Sequence, residues 1–384
     1  MKYDFDTVID RRNNGSAKWD VKENELPLST ADMDFRVAPE IIEDLHKVID
    51  HGVYGYHDVT EDWYKAYQSF FLDLHNWKIE KESLFFSTGV VPTLSSSVRA
   101  LTKIGEGVII LPPVYNIFYN SIRNNFRKII EVPLLYNEGF YSIDFVGIEE
   151  AMKDTNNTML IFCNPGNPVG RIWTEEEISK LIELGIKYNV RILSDEIHCD
   201  ITKPGLKYVP FLTVNKAKEI GFAAISPTKC FNLAGTQGSA IVIDNEEIRR
   251  LVIRQLNTDE CAEPNLIACQ AAVSAFNKGR DYLVQCNEYL FKNREHVENF
   301  IQANCPKLKV IKGVATYLVW IDISEYGIPS DKFCDDLRKR TGLILNSGAH
   351  YGKTGDGFVR LSVSCPRKTL DDGLARLKSF IDSL

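Results

Sequence analysis

Three stretches decide the fold: Met159-Leu160-Ile161-Phe162-Cys163, the loop Asn164-Pro165-Gly166-Asn167-Pro168-Val169-Gly170, and Val190-Arg191-Ile192-Leu193-Ser194. The first and last are largely apolar runs, the pattern of strands covered on both faces of a parallel sheet. Between them Thr174 and Glu177 have capping-box spacing, and Ile178, Leu181, Ile182 and Ile186 recur at helical spacing. Strand, helix, strand is the βαβ unit of a doubly wound sheet.

Working outward, residues 108–111, 223–226 and 240–243 read as further buried strands, and 93–102 as a helix. The C-terminal third changes character. Residues 281–304 read as one long helix stopped by Pro306, and 317–321 and 358–363 as strands. A last helix starting near Thr369 is expected to carry Leu370, Leu374, Leu377, Ile381 and Leu384 on one face. The expectation is an α/β fold with a large domain over residues 46–280, built on a mostly parallel, doubly wound sheet. A smaller α+β domain would combine residues 1–45 with 281–384.

Composition narrows the function. The 384 residues hold 45 Lys plus Arg against 52 Asp plus Glu, a net charge of −7, with 44% hydrophobic residues. No basic run exceeds short pieces such as Arg11-Arg12, so no nucleic-acid partner is expected. No apolar run approaches the roughly 20 residues of a membrane span, and Met1-Lys2-Tyr3-Asp4-Phe5-Asp6 lacks the apolar core of a signal peptide. The nine Cys form no C-x-x-C pair, which reads as reduced thiols in a cytoplasmic protein. Rival motifs fail: there is no G-x-G-x-x-G and no G-x-S-x-G, and the first Gly of a P-loop ending at Gly352-Lys353-Thr354 falls on Ser347.

Four constellations follow strand ends, where open α/β sheets bind ligands. Ser226-Pro227-Thr228-Lys229 offers a lysine that burial and neighbouring cations would make nucleophilic. Asp195-Glu196-Ile197-His198-Cys199-Asp200 offers carboxylates for a metal or a protonated ring nitrogen; the helpers of a metal site are missing, so no metal is expected. The Asn164–Gly170 loop, with two Asn-Pro pairs, can aim an amide at a ligand. Ser87-Thr88-Gly89-Val90-Val91-Pro92 runs into a helix start, a ready anion site. Each alone also reads as an ordinary turn or a solvated charge.

In this order the four motifs resemble the fold-type I pyridoxal 5′-phosphate enzymes of the aminotransferase class I and II group. The closer resemblance is to the MalY/PatB cystathionine β-lyase branch, the C–S lyases. It runs nearly the whole chain, through Asp10-Arg11-Arg12, Lys18-Trp19-Asp20, Ala31-Asp32-Met33-Asp34-Phe35, Gly55-Tyr56, Pro112-Pro113-Val114-Tyr115, Phe231-Asn232-Leu233-Ala234-Gly235 and Arg360 to Arg367.

The resemblance implies roles. Lys229 would carry the cofactor and then remove the Cα proton. Asp195 would keep the pyridine nitrogen protonated, Asn167 would donate to the ring hydroxyl, and Tyr115 would stack on the ring. His198 stands where aminotransferases carry a Tyr near that hydroxyl. Ser226 and the backbone of Gly89, Val90 and Val91 would hold the phosphate, with Tyr56 reaching it from a neighbouring subunit of a homodimer. Arg360 would clamp the α-carboxylate of a small amino-acid substrate. Three departures from the branch pattern, at Ser29-Thr30, Gly166 and Gly313-Val314-Ala315, are expected near the substrate mouth and leave the substrate open. The implied activity is C–S β-elimination on L-cystathionine or a related cysteine S-conjugate, giving a thiol, pyruvate and ammonia. Amino-group transfer uses the same residues and stays open, as does a regulatory role on the same fold.

Overall fold

The computed structural model describes residues 3–384; Met1 and Lys2, which open the N-terminal stretch read above, lie outside the described residues. Seven strands form the main sheet: β1 Leu84–Ser87, β2 Gly107–Ile110, β3 Lys128–Glu131, β4 Asn157–Cys163, β5 Arg191–Asp195, β6 Gly221–Ile225 and β7 Ser239–Val242. Their spatial order is β1-β7-β6-β5-β4-β2-β3. Only β7 runs antiparallel to its neighbours, pairing Ile241 with both Phe85 and Ala224. The five expected apolar runs are all strands here, with ends moved by one or two residues.

Alternation within the strands explains why a continuous apolar run was needed. Val108, Ile110, Met159, Ile161 and Leu193 enter the core on one face, with Leu94, Val98 and Val252 from the helices Val90–Leu101 and Glu246–Thr258. Ile109, Leu160, Phe162 and Ile192 enter the core on the other, with Ile178, Leu181 and Ile182 from the helix Glu175–Tyr188. Both faces are dry, so both side-chain sets must be apolar. Truncating one such residue, Phe162 to Ala, would cost about 3–5 kcal/mol.

The helix Glu175–Tyr188 starts as expected: Glu177 N–H donates to Thr174 Oγ1 at 3.2 Å, and Thr174 N–H donates to Glu177 Oε2 at 2.8 Å. The helix expected from residue 93 begins earlier, at Val90. Pro92 then lies in the first turn, where a missing N–H costs nothing.

A second, antiparallel sheet follows: β8 Lys309–Val310, β9 Leu318–Asp322, β10 Asn346–Ser347 and β11 Phe358–Ser362, in the order β8-β9-β11-β10. The N-terminal segment joins this region, since Leu26 and Pro27 pair with Leu343 and Ile344. Phe5 stacks edge-on against Phe35 and lies against Tyr282 of the long helix Arg280–Asn304. Residues 45 and 46 fall inside the helix Pro39–His51. The last helix spans Arg367–Ile381 and buries Leu370, Leu374 and Leu377. Leu384 lies past its end and is half exposed, so it is not part of the stripe as expected.

Parallel strands bring their carboxyl ends to one edge. Cys163 and Asp195 are register partners on β4 and β5, and Asp195 pairs with Ala224 of β6. The Asn164 loop, the Asp195 loop and the Lys229 loop therefore emerge side by side.

Candidate active site

A cavity of about 320 Å³ opens at that edge, a size suited to a cofactor-sized ligand. Eight of the expected residues line it: Gly89, Val90, Val91, Tyr115, Asn167, Asp195, His198 and Lys229. Three do not. Ser226 lies just behind the wall, its hydroxyl held by Thr228 Oγ1 at 2.7 Å and donating to the Gly238 carbonyl at 2.8 Å; Thr228 takes its place in the lining. Arg360 is buried beside the cavity. Tyr56 is fully exposed, on an irregular segment beside Lys47, His51 and Gln270, and lines a separate surface groove.

Lys229 stands one residue past Thr228, in the loop that leaves β6. Its Nζ donates to the Ala31 carbonyl at 2.7 Å. Burial, with Arg360 nearby, pushes its pKa down to about 8, against the pull of Asp32 and Asp195. An amine in that range is a good nucleophile near neutral pH. Asp195 is buried, and burial pushes its pKa up to about 6; it accepts the Ile197 N–H at 3.1 Å. A carboxylate so desolvated gains most from a cationic N–H partner.

His198 is buried, and burial together with Lys229 and Arg360 keeps its pKa well below the usual imidazole value. Its Nδ1 has no hydrogen-bond partner within the protein. Burial raises the Tyr115 hydroxyl to about 12, so that residue offers a neutral aromatic face. Arg360 donates through Nη1 to Asn167 Oδ1 at 3.2 Å and through Nη2 to the Ser29 carbonyl at 2.9 Å. Because the Asn167 oxygen is taken, its Nδ2 is the end left to donate elsewhere. The loop start at Gly89 has φ 147°, a backbone conformation that favours glycine, and it leads directly into the first turn of the helix Val90–Leu101.

The places of three further residues, Glu196, Cys163 and Asp200, were not legible in the sequence. Glu196 is a buried carboxylate behind the cavity, pushed up to about 7 by burial. It accepts from Asn164 Nδ2, Ser194 Oγ, Tyr208 OH and Phe211 N at 2.8–3.2 Å, and so ties the Asn164 loop to the Asp195 loop. Cys163 lines the cavity; its thiol donates to the Pro165 carbonyl at 3.3 Å and its sulfur accepts the Asn167 N–H at 3.4 Å. Asp200 turns away, shared between His75 Nε2 at 2.6 Å and Cys230 Sγ at 3.4 Å.

The three departures separate. Ser29 reaches the site through its carbonyl. Gly166 packs instead against Val169 and Trp173, where a Cβ would come within 2.9 Å of Val169 Cγ2. Gly313 packs against the buried Arg294, where a Cβ would lie 2.4 Å from Nη2. Both are places where backbone approaches side chain too closely for a Cβ, and neither lines the cavity.

The donor set fits a pyridoxal phosphate: a lysine to carry it, a buried carboxylate for its ring nitrogen, a flat aromatic face, an orphaned buried imidazole nitrogen and a helix start for its phosphate. The chain belongs to the aminotransferase class I and II family, which it matches over residues 23–377. It is a pyridoxal 5′-phosphate-dependent carbon–sulfur lyase within that family. It is 38% identical over 385 aligned positions to cystathionine beta-lyase PatB of Bacillus subtilis, covering 98% of this chain and 99% of that protein. It is 30% identical over 387 positions to protein MalY of Escherichia coli, covering 99% of each. Among solved structures it is similar to cystalysin from Treponema denticola, which contains a pyridoxal 5′-phosphate cofactor; the TM-score is 0.96 at 34% identity, covering 100% of both chains.

Proposed function

We propose that this lyase acts by α,β-elimination on L-cystathionine or a related cysteine S-conjugate. With cystathionine the balance is one water consumed and one each of homocysteine, pyruvate and ammonia formed. The observation that carries the reading is the convergence of Lys229 and the buried Asp195 in one cavity lining, their proton affinities shifted by desolvation, with the buried Arg360 beside them keeping an unpartnered Nε. The family resemblance to PatB supports the substrate class.

Bound pyridoxal phosphate supplies an electron sink for the charge that develops at the substrate Cα. This chain's residues do the rest. Lys229 carries the cofactor, and as a free amine takes the proton from Cα. Arg360 grips the α-carboxylate with its planar fork, and its Nε has no partner within the protein. That grip would orient the substrate so that its Cα–H bond, rather than the bond to the carboxylate, is the one presented for cleavage. Asp195 holds a proton on the ring nitrogen, and Asn167 Nδ2 donates to the ring hydroxyl. His198, neutral, lines the same cavity with its Nδ1 unpartnered. Tyr115 would offer its flat face to the ring. The backbone of Gly89, Val90 and Val91, with Thr228 backed by Ser226, receives the phosphate. Once the proton has left Cα, the thiolate departs from Cβ.

Tyr56 completes the phosphate site from a second copy of the chain, so the working unit is a homodimer with shared sites. The domain division is 46–280 for the cofactor-binding domain and 1–45 with 281–384 for the smaller one. Among the described residues no helix is long and apolar enough to cross a membrane; a cytoplasmic enzyme with small-molecule substrates fits the reduced thiols.

The test is to supply pyridoxal phosphate and L-cystathionine without a keto acid and follow pyruvate and thiol together. Catalytic release of both supports elimination. Amino transfer to an added keto acid, with no thiol release, would make the protein an aminotransferase.

A further inference from the structure

We propose that Tyr317 is a positioning residue for Lys229, acting through the Ala31 carbonyl; the proposal rests on the reading of Lys229 as the base. The Ala31 oxygen accepts two hydrogen bonds, from Lys229 Nζ at 2.7 Å and from the Tyr317 hydroxyl at 3.0 Å. Tyr317 is 1% exposed and enters from the small-domain side, its ring edge-on to His198 with centroids 5.9 Å apart. A carbonyl oxygen has two lone pairs. With Tyr317 on one of them, the other is aimed at the lysine.

The segment around Ala31 is held at successive carbonyls. The Asp32 carbonyl accepts from Ser364 Oγ at 2.8 Å, and the Met33 carbonyl from Asn232 Nδ2 at 3.0 Å and Arg11 Nη1 at 3.1 Å. Met33 N–H returns a bond to Asn232 Oδ1 at 3.1 Å. Asn232, three residues past Lys229, sits in the left-handed region at φ 56°, where Asn is tolerated. The Ala31 segment and the lysine loop are thus clamped to each other.

This clamp has work to do in the reaction. While Lys229 moves the Cα proton it is a free amine on a flexible four-carbon stem. Proton transfer needs the nitrogen at one place, and a small misplacement costs rate steeply. Ala31 lines the same cavity as Lys229, and an acceptor fixed there restricts the stem. Tyr317 fixes that acceptor.

The experiment compares wild-type and Tyr317→Phe holoenzymes with L-cystathionine carrying hydrogen or deuterium at Cα. Phe keeps the ring and its contact with His198, and the Ala31 oxygen keeps Lys229. The expected result is a kcat lower by roughly tenfold, KM little changed, and a larger α-deuterium effect on kcat. Melting temperature and cofactor absorbance are expected to stay at the wild-type values. Ser364→Ala, which removes the neighbouring anchor, is expected to move kcat and the isotope effect the same way by less, and carries the test if Tyr317→Phe does not fold. A wild-type kcat and isotope effect in the variant overturns the proposal, as does a lower kcat with an unchanged isotope effect. A wild-type enzyme that releases neither pyruvate nor thiol refutes the elimination reading instead, so the two failures are distinguishable.

Discussion

Arg360 and Asn167, 193 residues apart, share a hydrogen bond of 3.2 Å from Nη1 to Oδ1 inside the protein. One bond therefore couples the group that would grip the substrate carboxylate to the amide that would meet the cofactor ring. It crosses from β11 of the small sheet to the loop after β4, and it fixes which end of the amide faces the cavity.

Arg360→Lys is expected to break this coupling. A lysine is a point donor and cannot serve Asn167, the Ser29 carbonyl and a carboxylate together. The fall in kcat/KM is expected to be about 100-fold or more, with most of it in KM. Cofactor absorbance should persist. Steady-state kinetics on the variant checks this, and an unchanged kcat/KM contradicts it.

Asp195→Asn is expected to stabilise the cofactor-free protein while abolishing its chemistry. The native pKa of Asp195 is raised from 3.8 to about 6, so the folded state binds the proton more tightly than the unfolded chain. Its contribution to stability therefore falls as pH rises from about 3.8 to 6 and stays lower above that window. The uncharged Asn avoids the loss. The gain at pH 7 is roughly 2–3 kcal/mol, shrinking towards pH 4. Urea unfolding of both cofactor-free proteins at the two pH values measures it, and a less stable variant at pH 7 would refute it.

The pKa of Lys229, about 8, sets the pH at which the cofactor-free protein takes up pyridoxal phosphate covalently, because only the neutral amine attacks. The uptake rate is expected to climb with pH through a midpoint near 8. A midpoint near the ordinary lysine value of 10.5 would show that burial and Arg360 do not depress it.

Tyr56 provides a test of the shared site. Tyr56→Ala and Lys229→Ala proteins should each be weakly active or inactive. Mixed, unfolded and refolded together, they should recover activity, because a hybrid dimer has one site with both residues intact. No recovery, with dimers demonstrated by sedimentation, contradicts the shared site.

Much of this was readable from sequence because each reactive loop follows an apolar run. Asn164, Asp195 and Ser226 sit at or just after strand ends, and a parallel sheet sends those ends to one edge. A helix start near Gly89 was also readable, though the expected beginning at Thr93 fell three residues past the actual one at Val90. What stayed hidden depends on long-range contact. Ala31 meets Lys229 across 198 residues and Tyr317 across 286, and nothing local marks a backbone carbonyl as an acceptor. Glu196 stood in plain view beside Asp195, yet alternation along the chain turns it to the opposite side, into a network of four donors. The close packing of Gly166 against Val169 and of Gly313 against Arg294 was equally hidden, because it too depends on long-range or tertiary contact.

The most direct measurement is the stoichiometry of the reaction. Wild-type and Lys229→Ala proteins, each with pyridoxal phosphate and L-cystathionine and no keto acid, would be followed for pyruvate and thiol at once. Elimination at a Lys229-dependent site requires equal, continuing release of both products by the wild type and none by the variant. A wild type that binds the cofactor and releases neither product, or a variant that turns over like the wild type, would contradict it.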